Sequence, residues 1–326
     1  MILATKTFFT SFIFGLILFP YFIKLLKKMS KDGQPIRSYG PESHLITKKN
    51  IPPMGGIIIL TSALLPILFW SQLTPEISLL IFITLFFALL GFIDDCLKLK
   101  ANHHQGLSAK TKILIQFAVA LVCMSILKLQ ATEGFTKTSL FQEVVIDFGY
   151  LYIPFAAFVI VGSSNAVNLT DGLDGLAATQ AITSFAFLGL IAYMTQADVN
   201  ITLFCIAFIG AILSFLWFNT HPAKIFMGDV GSLSIGAVLG LTSVLIKKEM
   251  LFAIIGIIFV IETLSVITQV SYFKYTKLKY GEGRRIFLMS PIHHHFEKKG
   301  WSENTIVMKF WIISIVYSIF ALTFLL

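Results

Sequence analysis

The chain reads as an all-α polytopic integral membrane protein, and three observations point there. Of its 326 residues, 56% are hydrophobic and 32 are Phe, with a mean hydropathy of +0.83. Charged residues make up 13%, against roughly 25% in soluble globular domains. The apolar residues also gather into runs close to the ~20 residues a helix needs to span a bilayer. Ten such runs are marked, near 7–26, 52–70, 77–93, 113–129, 150–164, 175–195, 201–218, 232–246, 250–272 and 305–325. They leave no soluble domain of useful size, so 1–326 is taken as a single transmembrane catalytic domain.

Each run has its own punctuation. The first is long, its basic cluster (Lys24, Lys27, Lys28) comes after it, and no small-residue cleavage site is evident. It is therefore a span and not a removed signal. Pro52 and Pro53 stiffen the approach to the second, and Gly55 and Gly56 allow close packing or substrate approach. The third ends at Asp94 and Asp95, and the fourth opens after Lys110 and Lys112. The connection 130–149 mixes Leu140, Phe141, Val144, Val145 and Ile146 with polar residues, which suits a short hairpin lying on the membrane. The fifth and sixth runs flank NAVNLTDGLDGLAA, 165–178, where Asn168, Asp171 and Asp174 recur every third position with no Lys or Arg to pair with. The eighth opens on FMGDVGSLS, 226–234, where glycines and a helix N-terminus suit an anion, or Ser232 and Asp229 merely cap the helix. Glu262 lies inside the ninth with no evident partner, and SPIHHHFEKKGW, 290–301, precedes the tenth.

Cytoplasmic loops retain Lys and Arg, which orients the chain. The alternate connections 27–51, 94–112, 165–174, 219–231 and 273–304 hold nearly all the basic residues, among them Arg37, Lys48, Lys49, Lys98, Lys112, Arg284 and Arg285. The opposite set holds Lys137, Lys247 and Lys248, with Lys128 at an edge. Both termini are expected outside and these five loops inside. All seven histidines, including His44, His103, His104 and His221, fall in the same loops, and Asp94, Asp95, Asp171, Asp174 and Asp229 sit at their edges.

A carboxylate at the centre of a span costs on the order of 2.5–3.5 kcal/mol, so intramembrane acids are usually functional or paired. At the edge the penalty is smaller, and any one of the five could be a helix cap. Gathered on one side beside lysines, they suit a phosphate substrate that brings Mg²⁺, an ion that takes one or two carboxylates, water and phosphate oxygens. Neighbours on a helix point about 100° apart, so Asp94 and Asp95 are expected to divide roles instead of chelating one ion together. Lys98, at i+4 and i+3 from them, is also placed for an ordinary helix ion pair. His293, His294 and His295 cannot all face one metal in regular structure, and Mg²⁺ does not favour imidazole; phosphate or sugar contact is expected. Cys96, Cys123 and Cys205 are isolated, which suggests neither disulfides nor zinc. Without a Walker A or G-x-G-x-x-G sequence, neither a soluble nucleotide fold nor a nucleic-acid partner is indicated. The rival reading is an ion-coupled transporter, whose site would lie near the midplane between paired halves. Here the acids lie at one edge and no internal repeat is found.

The ordered motifs Pro-x-Met-Gly-Gly (52–56), Gly-Phe-x-Asp-Asp (91–95), Asn-Leu-Thr-Asp-Gly-Leu-Asp-Gly-Leu (168–176), Phe-Met-Gly-Asp-x-Gly-Ser (226–232) and Pro-Ile-His-His-His-Phe-Glu (291–297) closely resemble the phospho-N-acetylmuramoyl-pentapeptide-transferase family. This family of lipid I synthases lies within the polyprenyl-phosphate N-acetylhexosamine-1-phosphate transferase superfamily. The resemblance runs from about 39 to about 301, and the histidine motif with Trp301 favours this family over relatives that use other UDP-amino sugars. It implies transfer of phospho-MurNAc-pentapeptide from UDP-MurNAc-pentapeptide to undecaprenyl phosphate, releasing UMP, with Mg²⁺, in the bacterial cytoplasmic membrane. It further implies catalytic roles for Asp94, Asp95 and Asp229, with Asp94 at the lipid phosphate and Asp229 as the metal ligand. Substrate contacts are implied for Lys48, for Asn168, Asp171 and Asp174 around the diphosphate and nucleoside, and for Asn219 and Phe226 at the uracil. Lys98 is added as a further phosphate contact, His293–His295 would close over the site, and a homodimer is implied. One departure is Asn50-Ile51-Pro52-Pro53 where the family usually reads Gly-Thr-Pro-Thr, which removes two hydroxyls.

Overall fold

A computed structural model describes residues 2–29, 48, 50–101, 106–130, 134–139 and 145–325. Its helices are α1 (Ile2–Met29), α2 (Gly56–Trp70), α3 (Pro75–Ala101), α4 (Ala109–Gln130), α5 (Tyr152–Thr170), α6 (Leu176–Met194) and α7 (Val199–Asn219). They continue with α8 (Gly228–Leu245), α9 (Glu249–Ile255), α10 (Ile257–Tyr280), α11 (Ile292–Lys298) and α12 (Glu303–Leu322). Among the described residues nine helices are long and apolar enough to cross a membrane, and α2 is a shorter apolar one. Each of the ten expected runs therefore has its helix. Their outer faces stay greasy: Phe82, Leu85 and Leu89 on α3 and Ile312, Val316 and Ile319 on α12 are all exposed.

Several helices continue past the expected ends. The third runs on to Ala101 and the fifth to Thr170, so Asp94, Asp95, Lys98 and Asn168 are helical and not in loops. Hydropathy scores a side chain against lipid, whereas these polar groups face one another and neighbouring helices. The ninth is broken at Gly256 into α9 and α10, and α10 continues to Tyr280, where Gly281 adopts a left-handed φ of 77° and caps it. The histidine segment, expected as a loop, is the short helix α11.

Helix α8 is the buried axis of the bundle, packed chiefly against α5 and α3. Lipid tails are as apolar as leucine, so such helices associate through close backbone approach and hydrogen bonds. Both devices are present. A Cβ added at Gly91 would lie 2.2 Å from the Asp229 carbonyl oxygen, and one at Gly56 would lie 2.2 Å from the Gly231 nitrogen. Along the α5 seam, Ser163 Oγ donates to the Gly236 carbonyl at 2.6 Å and Ser164 Oγ to that of Leu233 at 2.8 Å.

The hairpin expected in 130–149 is present as β1 (Lys137–Ser139) antiparallel to β2 (Val145–Asp147). Leu140, Phe141 and Val144 lie outside the described residues, as do Arg37, His44, Lys49, His103 and His104. The hairpin is tied to the end of the bundle away from the acids. Buried Glu249 accepts hydrogen bonds from Thr138 and Tyr152, and Lys247 Nζ donates to Tyr152 Oη at 2.9 Å. Burial pushes the Lys247 ammonium down to about 8 despite Glu249 beside it.

Candidate active site

Four helix ends meet at one end of the bundle. The last turns of α3 bring Asp94, Asp95 and Lys98; the first turn of α4 brings Lys112; α5 brings Asn168 and α8 brings Asp229. Lys98 Nζ lies 2.7 Å from Asp94 Oδ2, 3.7 Å from Asp95 Oδ1 and 3.1 Å from Asp229 Oδ1. Lys112 Nζ lies 3.3 Å from Asp94 Oδ2 and 3.1 Å from Asp229 Oδ2. Asn168 Nδ2 donates to Asp229 Oδ1 at 3.0 Å and to Ser232 Oγ at 2.8 Å. The start of α8 is thereby pinned to the end of α5.

The expected separation of Asp94 from Asp95 needs correcting. One oxygen each from Asp94, Asp95 and Asp229 lies within 4.8 Å of the others. Their Cβ directions diverge, but Lys98 one turn on draws both carboxylates inward, and the Val230 N–H donates to Asp95 Oδ2 at 3.3 Å. Three acids face two lysines here, and among the described residues buried Asp95 Oδ1 has no hydrogen-bond partner. An all-oxygen set with one excess negative charge and an unsatisfied oxygen suits a hard divalent cation such as Mg²⁺.

A second polar cluster lies close by. Lys48 Nζ is 3.1 Å from Asp174 Oδ1 and 2.9 Å from Glu303 Oε2, while His221 Nδ1 is 2.9 Å from Asp174 Oδ2. Glu303, at the start of α12, carries no local signal, because an acid in a first helical turn looks like ordinary dipole compensation. The sequence-based list also lacks Lys112 and His221 as site members. Both are visible only as basic-loop residues until the fold brings them against Asp229 and Asp174.

A cavity of about 300 Å³ joins the two clusters. Its wall includes Lys48, Lys98, Asn168, Asp171, Asp174 and Asp229, together with Asn219, Phe226, His293 and His294. Asp94 and Asp95 lie behind Lys98, off that wall, and Asp94 accepts the Leu107 N–H at 2.6 Å. His295 is also off the wall: its Nδ1 accepts the Leu288 N–H at 3.1 Å. The expectation of three histidines closing over the site thus becomes two, because on a helix the third points elsewhere. The Asn219 amide is committed to backbone, accepting the Gly175 N–H at 2.9 Å and donating to the Ile225 carbonyl at 2.8 Å, so it shapes the wall. The Pro52-Pro53 departure is accommodated by the backbone. The Pro52 carbonyl accepts the Phe226 N–H at 2.9 Å, and the Gly55 N–H donates to the Phe226 carbonyl at 2.8 Å.

Asp171, partly accessible at the mouth, is pushed up to about 7 by burial and then by Asp229 and Asp95, against the pull of Lys48. The folded chain therefore holds a proton that the unfolded chain releases near 3.8. Stability contributed here falls as pH rises from that value through about 7. Asp171→Asn removes the penalty, so this variant is expected to melt above the wild type at about pH 8, with the gap closing toward about pH 4. Thermal unfolding of the detergent-solubilised protein across pH measures it. A gap that does not change with pH would contradict the assignment.

Residues 77–247, which carry the whole Asp94–Asp95–Asp229 cluster, match the model of glycosyl transferase family 4. Over all 326 residues, and the full length of both chains, the sequence is 86% identical to the phospho-N-acetylmuramoyl-pentapeptide-transferase of Wolbachia sp. subsp. Drosophila simulans (strain wRi). It is 75% identical over the same length to the enzyme of that name from Wolbachia sp. subsp. Brugia malayi (strain TRS).

The chain belongs to the phospho-N-acetylmuramoyl-pentapeptide-transferase family.

A more distant member, from Rickettsia felis (strain ATCC VR-1525 / URRWXCal2), is 45% identical, covering 96% of this chain and 89% of its own. Lys48, His293 and His294 lie outside the segment matched by the glycosyl transferase model, so part of the cavity wall is built from chain beyond it.

Proposed function

We propose that the chain transfers phospho-MurNAc-pentapeptide from UDP-MurNAc-pentapeptide to undecaprenyl phosphate, giving lipid I and UMP, the first membrane step of peptidoglycan synthesis. The observation that carries this reading is the cavity itself. It is a polar chamber at the end of an apolar bundle, lined by lysines, histidines and acids, in a chain aligned end to end with enzymes of that name. One substrate is a lipid and the other is water-soluble, so a site at the helix ends is where both can reach. An ion-coupled transporter would hold its acids near the midplane; these acids sit in the terminal turns of α3 and α8.

Phosphoryl transfer depends mainly on positioning and charge neutralisation. In a direct in-line step, an oxygen of the lipid phosphate attacks the β-phosphorus of the nucleotide sugar. The bond between that phosphorus and the bridging oxygen breaks, and UMP leaves with the electron pair. Lys98 on the wall, with Lys112 beside it, neutralises phosphate charge, Lys48 orders Asp174 and Glu303, and Asp94 acts on the phosphates through Lys98, which it holds at 2.7 Å. Asp229, with Asp94 and Asp95 beside it, would hold Mg²⁺, whose charge offsets that of the diphosphate. A two-step route through a phosphosugar ester of Asp94 or Asp95 is the alternative. Both termini face outward and the site opens to the cytoplasm of a bacterial inner membrane, where the basic loops belong; a homodimer follows from family resemblance.

Purified protein supplied with UDP-MurNAc-pentapeptide, undecaprenyl phosphate and Mg²⁺ is expected to release UMP, and UDP-GlcNAc run beside it to release little. Equal turnover of both donors, or none of either, would overturn the reading. A covalent sugar-phosphate adduct formed without lipid acceptor would replace the direct step with the two-step route.

A further inference from the structure

Glu262 lies in the second turn of the apolar helix α10 with no exposed surface at all. Among the described residues neither of its carboxylate oxygens has a hydrogen-bond partner. An isolated buried carboxylate is costly unless paired. The group that meets it is His293 of α11, itself fully buried, with Nδ1 3.0 Å from Glu262 Oε1. The other edge of the ring points into the site: a Cβ added at Gly172 would lie 2.3 Å from His293 Nε2, and Gly172 and His293 both line the cavity. Neither ring nitrogen has a hydrogen-bond partner among the described residues, so Nδ1 and Glu262 Oε1 meet at ion-pair distance without an aligned hydrogen bond in this geometry. The ring of His294 packs edge-on to it, with centroids 4.1 Å apart.

We infer that Glu262 is a positioning residue that holds a proton on His293 Nδ1 and thereby turns His293 Nε2 toward the substrate in the cavity. This rests on the transferase reading above. The physical reason is that a histidine ring has two edges, and the hydrogen bond made by one nitrogen sets what the other can do. Glycine at 172 leaves the space that Nε2 occupies. Glu262 touches no substrate; its effect passes through the ring.

The test uses the full chain in detergent with ¹⁵N-labelled histidine, the His293 signals being assigned by their loss in His293→Ala. The wild type is expected to carry a proton on His293 Nδ1. A bare Nδ1 there would overturn the proposal without need of any Glu262 variant. Glu262→Ala is expected to lose that protonation pattern and to lower kcat by about 10- to 100-fold, the usual effect of removing a carboxylate that orients a histidine. Glu262→Gln keeps an acceptor oxygen and is expected to recover most of the rate. In the His293→Ala background, Glu262→Ala should cost nothing more; a further loss of the same size would show that Glu262 acts by another route. If wild-type protein releases no UMP, the transferase reading falls, while the ring-nitrogen signals still decide whether the pair exists.

Discussion

Asp229→Asn is expected to lower UMP release by more than about 100-fold, since even a residue behind the reacting groups typically costs about 10- to 100-fold when removed. The substitution is nearly isosteric and leaves an oxygen to accept from Asn168, so the junction of α5 and α8 stays in place. What it removes is the charge that Lys98 and Lys112 each meet at 3.1 Å. The two lysines then turn fully onto Asp94 and Asp95, and the excess negative charge of the cluster disappears. A divalent cation loses both a donor and its electrostatic attraction. The measurement is the rate across a magnesium titration, with Mn²⁺ binding followed by electron paramagnetic resonance on the same protein. Unchanged rate and unchanged Mn²⁺ affinity would remove Asp229 from the metal site.

Lys48→Met is expected to act first on stability, at about 3–5 kcal/mol, the usual cost of leaving buried partners of an ion pair uncompensated. Lys48 Nζ stands between Asp174 and Glu303, all three groups nearly buried, so its removal takes away the ammonium that both carboxylates meet. Chemical or thermal unfolding in detergent measures the loss. Adding Glu303→Gln should restore part of it, because one of the two negative charges that shared the ammonium is then gone. If Lys48 served the substrate alone, stability would hold and KM for the nucleotide sugar would rise instead.

The five aspartates are conspicuous in the sequence because a carboxylate in an apolar chain demands a reason. Lys98 is equally plain, fixed to Asp94 and Asp95 by helical spacing. Glu303 is not, for its meaning is a contact with Asp174 across 129 positions. Glu262 is conspicuous but mute: the sequence shows a buried acid and withholds its partner, since His293 reaches it only when α11 folds back on α10. The histidine triplet shows the opposite failing. Its composition suggests three equivalent groups, and helical geometry then sends His295 away from the cavity.

By itself the sequence determined the positions and order of the apolar runs and the gathering of charge at their ends. Those properties follow from transfer between water and lipid, which each stretch of chain undergoes on its own terms. Where helices end was decided by tertiary structure. Asp94, Lys98 and Asn168 remain helical because their partners come from α4 and α8, and no local score contains a partner. The joint reach of three carboxylates, the Lys48–Asp174–Glu303 cluster and the Glu262–His293 pair were settled at the same level. Each exists only where charges from distant segments meet out of water, in surroundings where they act strongly on one another.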